Sequence, residues 1–181
     1  IGEMDRPSAK ELVFDDAVYI HKGRQFIVLK LDIENRECRV EERDVNYYKD
    51  AIVKHDLKIL SEDETLVTGG VELTIGDLLV RSSAEKYKKL RFHTNENIGY
   101  GEIYLPPEEM QTRGAVVLFR KGHRAGTYLA SLPEMSRAAV LASMSYSLRS
   151  LTPAALLCDR TDLGATWRLV DDHFASPAIY L

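Results

Sequence analysis

The sequence predicts an α+β protein with a mostly antiparallel β half over residues 17–120, followed by a helical segment and closing strands. Three observations support this prediction. Up to residue 120, short runs of alternating apolar and polar residues are separated by turn residues. After Gly126 the apolar spacing becomes helical, and the runs 166–170 and 178–181 then have the character of strands.

The first elements read as a three-stranded meander. Runs 17–20 and 25–31 flank a His-Lys-Gly-Arg turn, in which Gly23 permits the positive φ of a tight hairpin. A polar turn at 32–37 leads into an alternating run at 38–42. Residues 51–60 alternate from His55 onward, which predicts a further strand.

The next part of the chain predicts more short strands. Turn residues at 61–72 predict a loop, and residues 71–75 alternate strictly, with 78–80 extending that strand past Gly76. Further strands are expected at 88–94 and 102–105, joined by a loop at 95–101.

A helix is expected to begin near Ser131, because Ser-Leu-Pro-Glu fits a capping box with Glu134. One helical face would then carry four large apolar residues, Leu141, Met144, Leu148 and Leu151. Thr152 and Pro153 are expected to end this helix and to cap a second short one at 154–158.

Composition places the chain among soluble globular proteins. Of 181 residues, 45% are hydrophobic and 29% charged, and the mean hydropathy is -0.23, which argues against a disordered, collagen-like or membrane protein. The first residues lack the basic and apolar regions of a signal peptide, so none is expected, and no apolar run reaches the roughly 20 residues that a membrane span needs. The first residue is not Met and the last run is strand-like, so we expect a fragment of a longer protein.

Catalytic motifs are missing from the sequence. There is no phosphate-binding loop, so the chain is not expected to hydrolyse nucleotides by itself. Cys158 beside Asp159 and Asp162 has two interpretations: a nucleophile or metal corner, or a core thiol beside turn-capping carboxylates, which we favour. Cys38 and Cys158 are far apart and the five histidines are scattered, so we expect reduced thiols and no zinc site.

The charge is unevenly distributed. Residues 1–80 hold 11 Lys and Arg against 18 Asp and Glu, whereas residues 81–181 hold 13 against 10. A polyanion is therefore expected to meet the second part. Its basic residues form two groups, of which the first has aromatic residues interleaved, and the candidate nucleic-acid-binding residues are Lys86, Lys88, Lys89, Arg91, Lys121 and Arg124.

The strand pattern assigns faces to the first group. Lys88 would share one face with Leu90 and Phe92, while Lys89 and Arg91 would share the other and contact phosphates. The alternative is a solvated strand face without a ligand. Tyr100, between two glycines, is either an exposed base-stacking residue or, as the sequence favours, a packed anchor.

Five stretches, in order, resemble the segment that follows the motor in YprA/MrfA-like superfamily 2 DEAD/DEAH-box DNA helicases. Three lie early, at 1–9 (IGEMDRPSA), 16–23 (DAVYIHKG) and 43–48 (RDVNYY). The fourth is 97–106 (NIGYGEIYLP) followed by Met-Gln-Thr at 110–112, and the fifth is 157–164 (LCDRTDLG), which is similar to the family's Cys-Asp-x-x-Asp-hydrophobic-Gly element.

The resemblance implies a parent protein that is an ATP-dependent 3′ to 5′ DNA helicase implicated in DNA repair. It would have tandem RecA-like motor domains that hold ATP and Mg, and a winged helix before this region. Residues 1–181 would be a single accessory domain, or a fragment of one, from the start of the zinc-binding C-terminal domain. A division in which residues 10–60 form a small β subdomain is the other option. The clustered zinc-site cysteines are absent from this sequence, so zinc would come from cysteines beyond its C-terminus, unless this member lacks them.

The partners that the resemblance implies are single-stranded or forked DNA, and the motor domains and winged helix of the same polypeptide. A cytoplasmic monomer without membrane contact is expected. The accessory region would help to guide or separate DNA strands. The alternative is a protein-interaction or structural module that docks the motor domains without touching DNA.

Overall fold

The structure is a computed structural model that describes all residues from 1 to 181. It confirms the α+β class with mostly β content. The helices are α1 (Arg6–Leu12), α2 (Arg124–Ser131) and α3 (Glu134–Leu156). The strands are β1 (Val18–His21), β2 (Arg24–Asp32), β3 (Glu37–Glu42), β4 (Tyr47–Ile59), β5 (Glu64–Thr68), β6 (Val71–Arg91), β7 (Asn97–Glu102), β8 (Glu108–Leu118), β9 (Thr166–Arg168) and β10 (Ala178–Tyr180).

The chain divides into two compact units. The first contains Ile1–Asp56 and Val80–Met110, and the second contains Leu57–Leu79 and Gln111–Leu181. The long strands β4, β6 and β8 contribute residues to both units. The assignment of residues 1–181 to a single accessory domain stays a prediction. No helix is both long and apolar enough to cross a membrane.

The first unit contains the predicted meander. Strands β1, β2 and β3 form an antiparallel sheet, with Val18 opposite Ile27 and Leu31 opposite Cys38. At the β1–β2 turn the positive φ of Gly23 is 77°, as the hairpin requires. The core of this unit is built from six buried residues, Val13, Phe14, Ala17, Val28, Ala84 and Ile103.

Helix α1 was not predicted, although its beginning has a recognisable signal. The carboxylate of Asp5 accepts a hydrogen bond from the backbone N–H of Ser8 at 3.1 Å, and Pro7 stands in the first turn. Lys10 is only 4% exposed. Its ammonium donates to the carbonyl of Pro106 at 2.6 Å and pairs with Glu108, so α1 is held by a buried charge.

In the second unit both faces of the closing sheet are covered. Strand β10 pairs with β8 on one side and with β9 on the other. Its alternating side chains enter two different cores: Ala178 and Tyr180 pack with Leu118, whereas Ile179 packs with Leu141 of α3. The closing strands expected at the end of the chain are therefore confirmed.

Strand β6 passes Gly76 as the sequence predicted, but it continues without a break to Arg91, so the strands expected at 71–80 and 88–94 are one strand up to that residue. A β-carbon at Gly76 would lie 1.9 Å from the carbonyl oxygen of Ser61, so a glycine is required by close backbone approach. The N–H of Asp63 donates to the carbonyl of Ile75 at 2.9 Å in the same place. Strand β5 then lies in the stretch 61–72, where only a loop was expected.

The helix boundaries predicted from the sequence are wrong in two respects. Ser131 is the last residue of α2, which was not predicted, and its hydroxyl donates to the carbonyl of Tyr128 at 2.7 Å instead of capping α3. Pro153 lies inside α3, which continues to Leu156 and ends at Leu157 in the left-handed conformation, so no second helix forms at 154–158. Of the predicted apolar face, Leu141 is buried but Leu151 is exposed.

Candidate nucleic-acid interface

The first basic group lies on a hairpin made by β6 and β7. The loop expected at 95–101 is mostly strand β7, and the strand expected at 102–105 is wrong, because β7 ends at Glu102 and residues 103–107 are not strand. The connecting turn is closed by hydrogen bonds in which Arg91 N–H donates to Glu96 and Asn95 N–H donates to Arg91. His93 and Asn95 have positive φ in this turn, a conformation that Asn tolerates well.

One face of this hairpin presents two lysines and an aromatic ring to solvent. In the antiparallel register Lys86 is opposite Glu102 and Lys88 is opposite Tyr100. Directly opposed residues share a face, as do alternate residues of one strand, so these four side chains lie together. Lys86 and Lys88 are exposed and have no hydrogen-bond or ion-pair partner. We call these two lysines with Tyr100 the hairpin face.

The carboxylate of Glu102 is the only acidic group in that register. It accepts a hydrogen bond from the hydroxyl of Tyr104, and this bond raises the pKa of the Tyr104 phenol. No ion pair joins Glu102 to Lys86. Both lysine charges of the hairpin face are therefore available to an external anion.

The reverse side of the hairpin is packed. Tyr87 stacks on Phe14 with ring centroids 5.4 Å apart, and the ammonium of Lys49 lies 4.4 Å from the centre of the Tyr87 ring. Gly101 passes beneath that ring, since a β-carbon there would lie 2.3 Å from Cζ of Tyr87. The strand that carries Tyr100 is thus fixed from behind.

Lys89 and Arg91, which the sequence placed against phosphates, are engaged within the first unit. The ammonium of Lys89 lies 3.8 Å from the centre of the Tyr47 ring, a cation–π contact. The guanidinium of Arg91 lies 3.3 Å from a carboxylate oxygen of Glu96. A register shift between Lys89 and Leu90 also interrupts the strict alternation assumed from the sequence. Their contact with phosphates stays a prediction.

The second basic group belongs to the second unit. Lys121, three residues before α2, and Arg124, its first residue, are exposed and have no hydrogen-bond or ion-pair partner. Arg120 differs, because its Nε donates to Glu72 at 2.9 Å and its Nη1 donates to the carbonyl of Phe174 at 3.2 Å. Lys121 and Arg124 therefore remain candidates for anion contact, and Arg120 is structural.

The segment around Cys158 forms a turn. The carboxylate of Asp159 accepts from the N–H of Thr161 at 2.9 Å, and that of Asp162 accepts from the N–H of Asp159 at 3.1 Å. The turn-capping interpretation of these carboxylates is confirmed, while the thiol of Cys158 is half-buried. His173 is the only histidine that follows Cys158 in the sequence. It contacts Glu62, with Nε2 2.8 Å from the carboxylate.

Neither thiol belongs to a metal cluster. No three His, Cys, Asp or Glu side chains converge to hold a metal ion, so the residues present do not fit the zinc site that the resemblance implies. Cys38 lines a cavity of about 490 Å³ in the first unit together with Met4 and Tyr19. Burial raises the pKa of the Cys38 thiol, which disfavours the reactive thiolate.

The similarity to known proteins covers the whole chain. No protein-family model matches it. It is 35% identical over all 181 residues to the uncharacterized ATP-dependent helicase YprA of Bacillus subtilis (strain 168). Among crystal structures, it is 34% identical to the DUF1998 helicase MrfA bound to DNA, with a TM-score of 0.79 over 99% of the chain. MrfA bound to DNA and AMPPNP gives 31% identity and a TM-score of 0.69, again over 99% of the chain.

The chain matches a partial region of a YprA/MrfA-like helicase. It spans 23% of YprA, 23% of the DNA-bound MrfA chain and 21% of the chain bound to DNA and AMPPNP. The resemblance that the five stretches predicted is thereby confirmed. Within the first basic group, the two lysines without a partner, Lys86 and Lys88, lie on the hairpin face, a distinction that required the β6–β7 register and the partner of each cation.

Proposed function

We propose that this chain is a non-catalytic accessory region of an ATP-dependent 3′ to 5′ DNA helicase, which guides or separates DNA strands beside the motor domains. The parent protein would act in DNA repair in the cytoplasm as a monomer. ATP and Mg would be held by its RecA-like motor domains, outside this chain. Two MrfA structures in which that helicase is bound to DNA support DNA as the partner.

The observation that carries the proposal is that the two lysines of the hairpin face have no counterion within the chain. Lys86 and Lys88 stand side by side, exposed, and without an intramolecular counterion. A phosphate that contacts them releases condensed counterions, so each contact to a single strand contributes about -0.7 to the salt slope of the binding constant. Lys121 and Arg124 are proposed as further phosphate contacts on the second unit.

Salt titration of the intact helicase tests this proposal. Replacing Lys86→Ala and Lys88→Ala together should flatten the slope for single-stranded DNA by about 1.4 units. The control is Lys30→Ala with Lys58→Ala, two exposed strand lysines without an ion pair, which removes the same charge. An unchanged slope in the first double variant, or an equal change in the control, contradicts the proposal.

A second candidate function is docking of the motor domains without DNA contact. The observation that favours it is that α3 exposes large apolar side chains, Met135 and Leu151 among them. If docking is the function, Met135→Gln with Leu151→Gln lowers the DNA-stimulated ATPase of the intact helicase. The lysine double variant would then leave both the salt slope and unwinding unchanged.

A further inference from the structure

The ring of Tyr100 has no role inside the folded chain. Its side chain is 68% exposed, and it makes no hydrogen bond, ring contact or cation–π contact. The packed anchor that the sequence favoured is therefore wrong for Tyr100. In the same hairpin Tyr87 stacks on Phe14, and Tyr104 holds Glu102 through its hydroxyl. Tyr104 is also exposed, at 87%, but its hydroxyl is bound to Glu102, so Tyr100 is the one of the three whose side chain has no partner at all.

The position of this ring relative to the lysines is specific. Tyr100 is directly opposite Lys88, and Lys86 lies two residues further along the same face of β6. Opposed residues in an antiparallel pair have β-carbons about 5 Å apart. An aromatic surface and two cations thus lie within the span of a nucleotide, which pairs an aromatic base with an anionic phosphate.

We propose that Tyr100 is a stacking platform for an unpaired base of single-stranded DNA, with Lys88 and Lys86 holding the adjacent phosphates. This inference rests on the proposed function and adds the form of DNA that the hairpin face selects. Bases in a duplex are stacked on one another and offer only their edges, whereas an unstacked base offers its face to an aromatic side chain. Every base has such a face, so the contact is tolerant of sequence.

The arrangement also predicts on which side the phosphates lie. Glu102 follows Tyr100 on β7 and repels phosphates, while the lysines are on β6. The sugar-phosphate backbone therefore runs along β6 and the base points towards β7. Because Tyr87 and Gly101 fix β7 from behind, the ring is presented without rearrangement of the strand.

Photocrosslinking in the intact helicase tests the contact directly. Oligonucleotides carry 5-iododeoxyuridine at one position each, since this base crosslinks to an aromatic ring on which it stacks. Trypsin releases residues 92–113 as one peptide that contains Tyr100 and Tyr104, and fragmentation separates the two. We expect an adduct on Tyr100 in the parent, and an adduct at the same position in Tyr100→Phe, which keeps the aromatic ring. Adducts elsewhere in the helicase but none on Tyr100 overturn the proposal.

Affinity measurements distinguish stacking from charge. Tyr100→Ala should weaken binding of single-stranded DNA about fivefold or more and leave duplex affinity and the salt slope unchanged. A single strand made of abasic sites should bind the parent and Tyr100→Ala equally. The control is Tyr146→Ala, which removes an equally exposed ring from α3 and should have no effect. Equal losses for single-stranded and duplex DNA, or none, contradict the proposal.

The two proposals fail in different ways. If the lysine double variant flattens the salt slope but Tyr100 neither crosslinks nor affects affinity, the proposed function stands and base stacking is wrong. If neither change has an effect, the hairpin face is not a DNA contact and both are wrong. A Tyr100 adduct with an unchanged slope in the lysine variant supports stacking and contradicts the assigned phosphate path.

Discussion

The buried carboxylate of Asp171 accepts a hydrogen bond from the hydroxyl of Tyr180, which ties the β9–β10 connection to the closing strand. The same carboxylate accepts from Arg168 Nη1 at 3.0 Å and from the backbone N–H groups of His173 and Phe174 at 3.0 and 3.1 Å. A buried charge is tolerated only when it is paired and hydrogen-bonded, and Asp171 meets both conditions.

Removal of this acceptor should destabilise the second unit strongly. Asp171→Ala removes the counterion of Arg168 and the acceptor of two backbone N–H groups, at a cost of about 3–5 kcal/mol. Tyr180→Phe removes one hydrogen bond to a charged group and should cost about 1.5–3 kcal/mol. Hydrogen exchange of the β9 and β10 amides in the intact protein measures both. Equal protection in Asp171→Ala and the parent would contradict this expectation.

The stability of the second unit should depend on pH through the same pair. Burial alone would raise the pKa of Asp171, but hydrogen bonds from Tyr180, Phe174 and Arg168 outweigh it and lower the pKa below 3.8. Stability from a lowered carboxyl pKa is present above the unfolded value and is lost as the pH falls through the folded value. Protection of β10 should therefore decrease below pH 4.

The Tyr180 phenol acts at the opposite end of the pH scale. Burial and the carboxylate of Asp171 raise the pKa of Tyr180 well above its ordinary value of 10. The stability that this phenol contributes is complete below pH 10 and is lost as the pH rises further. In Tyr180→Phe the alkaline loss of β10 protection should be smaller than in the parent. An identical alkaline profile would show that Tyr180 does not couple to folding.

The two partners of the ion pair that holds α1, Lys10 and Glu108, should contribute unequally to the stability of the first unit. Lys10 lowers the pKa of Glu108, mainly by its hydrogen bond, and Lys10 is the more buried partner. Glu108→Gln leaves a buried ammonium without a counterion and should cost about 3 kcal/mol, whereas Lys10→Met should cost less. Exchange protection of the α1 amides compares the two variants. A larger loss of exchange protection in Lys10→Met than in Glu108→Gln would contradict this prediction.

Sequence patterns predicted the elements that depend on local alternation and failed where distant backbone decided the outcome. The β1–β2 hairpin follows from Gly23 and alternating residues, both visible in the sequence. The sequence predicted that the strand passes Gly76, but not that the carbonyl of Ser61, fifteen residues away, approaches so closely that a glycine is required there. Pro153 looked like the end of a helix, yet α3 continues for three further residues before Leu157 ends it.

The site was only partly predictable for a related reason. Composition identified the basic residues and the resemblance suggested DNA, but the partner of Lys89 lies on β4, which is distant in sequence, and the partner of Arg91 lies in the turn before β7. Tyr47 and Glu96 engage Lys89 and Arg91. Only the β6–β7 register puts Lys88 opposite Tyr100.

Gly101 should be intolerant of any side chain. A β-carbon there would overlap the Tyr87 ring, which is confined by Phe14 and Lys49, so Gly101→Ala should cost about 1–3 kcal/mol by overpacking. Gly164→Ala is the control, because a β-carbon at Gly164 would meet no heavy atom within 4 Å, and its effect should stay within about ±0.5 kcal/mol. Exchange protection of the β7 amides checks this difference.

The two pairs of cations in the first basic group should contribute unequally to DNA binding. Lys89 would have to leave the Tyr47 ring, and Arg91 would have to leave Glu96, before either could neutralise a phosphate. Lys89→Ala with Arg91→Ala should therefore flatten the single-strand salt slope by less than one contact, under about 0.7 units. Lys86→Ala with Lys88→Ala should flatten it by about twice that amount. Both double variants remove two positive charges, so a difference between them reflects position and not net charge. An equal or larger change for Lys89 and Arg91 would assign the phosphate path to the opposite face of β6.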